Sequence, residues 1–174
     1  SLLRNLEEFQ AAWSRWKPKC YQQIDIWADK EKENFSDDKT LNRALLAFSG
    51  GLDSTSSLWR HVHGKNGRRK RNITAGIMIH GFDIPLTMPD TFARAAINSQ
   101  KILESIGVDF IPVVSNFRKF CGNWEDAHEA GIAAVLHLLG KNSSAGLIAS
   151  SHVYERVRLA WGSNPITDPL LSSN

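Results

Sequence analysis

The residues best equipped for chemistry lie in one short run, SGGLDSTSS, at positions 49–57. Two adjacent glycines, Gly50 and Gly51, stand between the apolar run ALLAF (44–48) and a polar stretch that reads as the start of a helix. Glycine permits a sharp turn at the end of a buried strand and leaves no side chain to block a ligand. The N–H groups of such a turn and of the first helical turn converge on one concavity, where the helix dipole adds positive potential. An anion such as phosphate fits there, and Ser49, Ser54 and Thr55 can add hydroxyl donors. Asp53 has the wrong sign for a direct phosphate contact, which implies a Mg²⁺ between its carboxylate and the phosphate oxygens. The plainer alternative makes Asp53 a helix cap and the glycines an ordinary turn.

Two other phosphate-binding patterns are excluded. A Walker loop ends in Gly-Lys-Ser or Gly-Lys-Thr, and neither tripeptide occurs. The dinucleotide fingerprint G-x-G-x-x-G fails as well, because Leu52, Asp53 and Ser54 follow the adjacent glycine pair.

The elements that must hold this turn follow a strand–helix alternation from residue 41 onward. ALLAF (44–48), ITAGIMIH (73–80) and AGLIAS (145–150) are short continuous apolar runs, as strands covered on both faces require. Between them TMPDTFARAAINSQKILESIG is a helix, with Phe92, Ala95, Ala96, Ser99, Ile102, Leu103 and Ile106 forming one apolar stripe. Thr87 and Asp90 resemble a capping box, and Gly107 is placed to close the C-terminus. A second helix runs through NWEDAHEAGIAAVLHLLG, from an Asn123 cap to a stop at Gly140, with Ile132, Val135, Leu136 and Leu139 apolar. VDFIPVV (108–114) is a further strand, and Pro112, which cannot donate to a ladder, puts it at a sheet edge. The expected fold is α/β, a parallel sheet wrapped by helices. Residues 1–40 form a separate N-terminal extension: a helix in LLRNLEEFQAAWSRW ended by Pro18, a strand in CYQQIDIWA, and a charged loop.

Composition narrows the class. With 42% hydrophobic and 22% charged residues the 174-residue chain is that of a globular protein with a proper core. No apolar run approaches a membrane span, no signal peptide opens the chain, and Cys20 and Cys121 form no disulfide framework, so no membrane partner and a cytoplasmic location are expected. The net charge of +3 is concentrated: Lys65, Arg68, Arg69, Lys70 and Arg71 all lie in GKNGRRKR. With two glycines, an asparagine and no aromatic residue, that run reads as a solvated loop more readily than as a nucleic-acid footprint. His61 and His63 point in different directions on a helix and make no metal pair.

The hexapeptide SGGLDS, after an apolar strand and before a helix, resembles the signature of the PP-loop ATP pyrophosphatases. The resemblance covers residues 41–174 in the order and spacing of elements and, through SGGLDSTSSLW, looks most like the 7-cyano-7-deazaguanine synthase branch. It implies an adenine nucleotide alpha hydrolase-like (Rossmann-like) sheet in order 3-2-1-4-5 with helices on both faces. It also implies ATP and Mg²⁺ as cofactors and cleavage of ATP between its α and β phosphates. The expected activity is that of a ligase adenylating a small carboxylate or amide oxygen, which ammonia or another amine then attacks to form a C–N bond. Ser49, Gly50, Gly51, Leu52, Asp53, Ser54 and Thr55 carry over as the nucleotide site, with Ser49, Asp53 and Ser54 the catalytic group and Asp53 the metal ligand. Ile79, His80 and Phe82 would adjoin the adenine. The deazaguanine branch carries a four-cysteine zinc site near its C-terminus, which two cysteines cannot supply, so either the sequence stops short of that site or this is a divergent relative whose reaction is only similar to nitrile formation. A tRNA-thiolating enzyme, with GKNGRRKR on RNA and Cys121 carrying sulfur, and a non-catalytic nucleotide-binding module are the competing readings. A homodimer is compatible with all of them.

Ligands of a parallel sheet collect beyond the carboxyl ends of its strands. Asp83 is a substrate contact or the start of a turn before Pro85; Asn116 and Arg118 either grip an anion or serve an edge-strand loop. Ser150, Ser151 and His152 directly follow a buried strand and are expected to touch ligand. Asp168, near two prolines, is a substrate or second metal contact or a turn residue, and His128 is a surface or core histidine.

Overall fold

A computed structural model describes residues 2–30, 42–149 and 160–173. The chain divides into two units. One comprises the described parts of Ser36–Gly122 and Ala134–Ser151, and the other those of Ser1–Phe35, Asn123–Ala133 and His152–Asn174.

The first unit is built on four parallel strands, β1 (Arg43–Ala47), β2 (Asn72–His80), β3 (Asp109–Val114) and β4 (Ala145–Leu147), in order β3-β2-β1-β4. Helix α2 (Leu52–Val62) joins β1 to β2, α3 (Pro89–Glu104) joins β2 to β3, and α4 (Trp124–Leu139) precedes β4. Ala44, Leu46 and Phe48 alternate onto one face of the sheet. There they cluster with Leu58 of α2 and Leu103 of α3, all nearly inaccessible. Gly76 of β2 permits this close approach, since a Cβ on it would sit 2.6 Å from Leu103. On the opposite face Gly146 of β4 meets Leu136 of α4 in the same manner.

Pro112 lies on β3, which among the described residues pairs with β2 alone and so forms an edge, as a residue without an N–H demands. The apolar stripe of α3 turns inward at Ser99 and Leu103, Gly107 takes φ +73° beyond the helix, and Asn123 caps α4 through its Oδ1 and the Glu125 N–H (3.0 Å). Three expectations need correcting. CYQQIDIWA is not a strand: residues 21–28 are irregular, and the side chains of Ile24, Ile26 and Trp27 face solvent. Thr87 and Asp90 form no capping box; Met88 is the N-cap without a side-chain bond, because Pro89 fits the first helical position, where no N–H is needed. The strand in AGLIAS stops at Leu147. Leu139 and Ile106 are more than one-third exposed and take no part in the core.

The second unit contains α1 (Leu2–Trp16), the first turns of α4 and residues 160–173. Trp13 is buried among the rings of Phe9, Trp16 and Tyr21. Lys17 pairs with Asp126 (2.6 Å), which also accepts from the Tyr21 hydroxyl (2.9 Å), and Asn5 donates to the Ser172 carbonyl (2.8 Å). Among the described residues no helix is long and apolar enough to cross a membrane.

Candidate functional site

The glycine turn sits at the carboxyl end of β1. Phe48 extends the strand by donating to Ile77 (2.8 Å), and the chain then bends through Gly50 at φ +75°, a conformation natural to glycine. Ser99 of α3 supports the turn from beneath, leaving no room for a Cβ on Gly50. Gly51 is the N-cap of α2 and no side chain bonds the helix end. The first N–H of α2 to find a backbone acceptor is that of Thr55, on the Gly51 carbonyl (3.0 Å). Leu52, Asp53 and Ser54 therefore present their N–H groups at the positive end of the helix dipole.

The hydroxyls converge on the same turn. Ser54 Oγ donates to the Gly51 carbonyl (3.1 Å) and lies 3.4 Å from Ser49 Oγ, which in turn accepts the Gly51 N–H (3.3 Å). Ser49, Gly50, Gly51, Leu52 and Asp53 are exposed, so the concavity is open, and only Ser54 is buried. Asp53 is a carboxylate with solvent access beside uncapped amides, and among the described residues no cluster of three or more potential metal-ligating side chains surrounds it.

Because the strands are parallel, the loops after β1, β2 and β3 emerge along one edge of the sheet. That edge brings together residues 49–54, 79–83 and 116–118. Ile79 is half-buried; His80 stacks on Phe92 of α3 (4.4 Å, 14°) and its Nε2 lies 3.0 Å from the Pro85 carbonyl. Phe82 is buried, and Arg118 donates to its carbonyl (2.7 Å), tying the β2 and β3 loops together. Gly81, at φ +101°, lets the Ser115 carbonyl approach where a side chain would stand. Asp83 and Asn116 are exposed beside this tie. Ser150, Ser151 and His152 lie outside the described residues.

Asp168 belongs to the other unit. Its carboxylate accepts the Asn164 N–H (2.7 Å) and the Ser163 hydroxyl (3.3 Å), closing the turn before a short 3-10 segment. Burial pushes its pKa up, against the opposing pull of those two donors and of His128. Its neighbour Glu129, 4% exposed on α4, is a residue that sequence reasoning passed over. Burial foremost, and then the charge of Asp168, raise the Glu129 pKa to about 8. A lone acid on an otherwise apolar helix stretch, EAGIAAVL, was the available signal. His128 is half-buried against Trp124 and Trp161. Ser99 beneath Gly50 was hidden too, since a small residue in a helix stripe gives no hint of a loop above it.

No family model, curated protein or solved structure matches the chain.

Proposed function

We propose that residues 49–55 hold the phosphate tail of ATP and that the protein is an ATP pyrophosphatase-type ligase, cleaving ATP between the α and β phosphates. The observation that carries this reading is the open, uncapped start of α2 behind a positive-φ glycine, with two serine hydroxyls in the same turn. The amides of Leu52, Asp53 and Ser54 bind the β and γ phosphates and stabilise the charge that grows on pyrophosphate as it leaves. Ser49 and Ser54 exchange their bonds within the turn for bonds to those oxygens. Asp53 is the residue that would hold a Mg²⁺, which would supply neutralisation of part of the phosphate charge. Adenine lies toward Ile79, His80 and Phe82, where the stacked His80–Phe92 pair gives the loop a fixed shape. The acceptor, a small carboxylate or amide, approaches from Asp83, Asn116 and Arg118; its oxygen attacks the α phosphate, and ammonia or another amine then displaces AMP.

The finer fold reading belongs with this function: an adenine nucleotide alpha hydrolase-like, Rossmann-like sheet of order 3-2-1-4-5. The test is product analysis with a panel of small carboxylates. Acceptor-dependent AMP and pyrophosphate without ADP supports the ligase; ADP formation, or ATP left intact by a protein that does not bind pyrophosphate, refutes it.

A further inference from the structure

The basic run GKNGRRKR lies between α2 and β2, and the structure gives it a setting that spacing alone does not reveal. A cleft of about 660 Å³ opens beside α2, with residues of that helix on one side and of the run on the other. The helix contributes Asp53, Ser56, Ser57, Arg60 and His61, which at i, i+3, i+4, i+7 and i+8 spacing form one polar face. A face meant to pack on another helix would be apolar at these positions. Opposite it stand Arg68, Arg69 and Arg71, two of them in a 3-10 turn, together with Asn66. Asp53 is the one acid among the described residues lining the cleft, against four arginines.

Two details favour an extended phosphodiester ligand over a compact anion. From Asp53 to Arg60 the helix rises about 10 Å, the span of two or three nucleotides, with the hydroxyls of Ser56 and Ser57 between the acid and the arginine. Trp59 and His63 then sit next round the helix from Ser56 and Arg60. Trp59 is half exposed and its ring stacks on His63 (4.7 Å, 25°), an aromatic surface outside the cleft lining and one helix position from Arg60. An exposed stacking platform beside a basic groove is how single strands are held without sequence preference. His61 is fixed as a neutral donor: its Nδ1 accepts the Arg71 N–H (3.0 Å), so its proton is on Nε2, and burial foremost keeps its pKa low.

We propose that this cleft binds a single-stranded nucleic acid, with Arg60, Arg68, Arg69 and Arg71 on the phosphates and Trp59 against a base. The cleft adjoins the glycine turn at Asp53, and binding through its arginines does not depend on ATP chemistry at the turn.

The test is fluorescence anisotropy of a labelled 12-nucleotide single strand titrated with the intact protein at several salt concentrations. Binding is expected, with an affinity that falls as salt rises, by a log–log slope of about −0.7 for each phosphate contacted. Arg68→Gln with Arg69→Gln, both exposed, should weaken binding at least tenfold and flatten the slope by about 1.4. Arg68→Lys with Arg69→Lys should restore most of it, because lysine keeps the charge. Trp59→Ala should weaken binding about tenfold and leave the slope unchanged. Absence of binding, a glutamine pair that binds as the parent does, or polyglutamate bound as tightly with no effect of Trp59→Ala would each overturn the proposal. Calorimetry with pyrophosphate on the glutamine pair keeps the two sites distinct: uptake at the glycine turn should be unaltered.

Discussion

At the scale of single residues, the roles of Asp53 and Gly50 separate chemistry from conformation. Asp53 is exposed and among the described residues makes no side-chain bond that holds the turn, so Asp53→Ala should leave the melting temperature within about 2 °C of the parent, as surface substitutions do. The same change should weaken Mg²⁺-dependent pyrophosphate binding at least tenfold in a calorimetric titration, the loss of about 1.4 kcal/mol or more. An unchanged affinity would leave Asp53 as a plain first-turn acid. Gly50 should behave in the opposite way. At φ +75°, with Ser99 Oγ 2.7 Å from where a Cβ would stand, Gly50→Ala is expected to cost about 1–3 kcal/mol of stability in urea unfolding. Ligand binding would then fall with the fold, and Ser99→Ala, which clears space, should recover only part of the loss because the backbone strain persists.

At the scale of elements, what the sequence made legible was whatever a buried strand or an amphipathic helix must show. Residues 44–48 and 73–80 are apolar because they lie in the covered centre of the sheet, 108–114 form a partly exposed outer strand, and all three strands lie there with ends shifted by at most one residue. Pro112 marked an edge through a missing donor, a local fact with a global consequence. Ile24 and Ile26 misled because a strand forms only where a partner edge exists, and their side chains meet solvent instead. The glycine turn was readable because its chemistry is local to seven residues. The arginine cleft was not, since a charge run carries no sign of the helix face it confronts. Close packing gives a further test. A Cβ on Gly76 would meet Leu103 at 2.6 and 2.9 Å, so Gly76→Ala should destabilise by about 1–3 kcal/mol through overpacking. Gly122, with open space around its Cβ position and no positive φ, should accept alanine within about 0.5 kcal/mol. Equal costs at the two positions would contradict the packing of α3 on β2.

At the scale of the whole molecule, the two units differ in what they bury. The sheet unit encloses an apolar cluster, whereas the unit of α1, the start of α4 and residues 160–173 encloses Glu129, Asn164 and Thr167, with Asp168 half-buried beside them. No shift in composition announces that second grouping; it is made by pairs far apart in sequence, such as Lys17–Asp126 and Asn5–Ser172. A buried acid couples its stability to pH. Glu129 has a folded pKa of about 8 against an ordinary value of 4.5, so the folded state holds its proton more tightly than the unfolded state does. Its contribution is therefore complete below pH 4.5 and is lost as pH rises toward 8, by up to about 1.4 kcal/mol per pH unit. Asp168 is shifted in the same direction and adds to the slope, while Asp126, paired with Lys17, keeps a charged partner. Melting followed by the fluorescence of Trp13 and its neighbours should fall steadily between pH 5 and 8 and flatten above. Glu129→Gln, which keeps the shape and carries no charge, should remove most of that fall and melt higher than the parent at pH 8. A parent curve that is level across this range, or a glutamine variant with the same slope, would mean that Glu129 is charged in the folded protein and that its burial is offset by a cation.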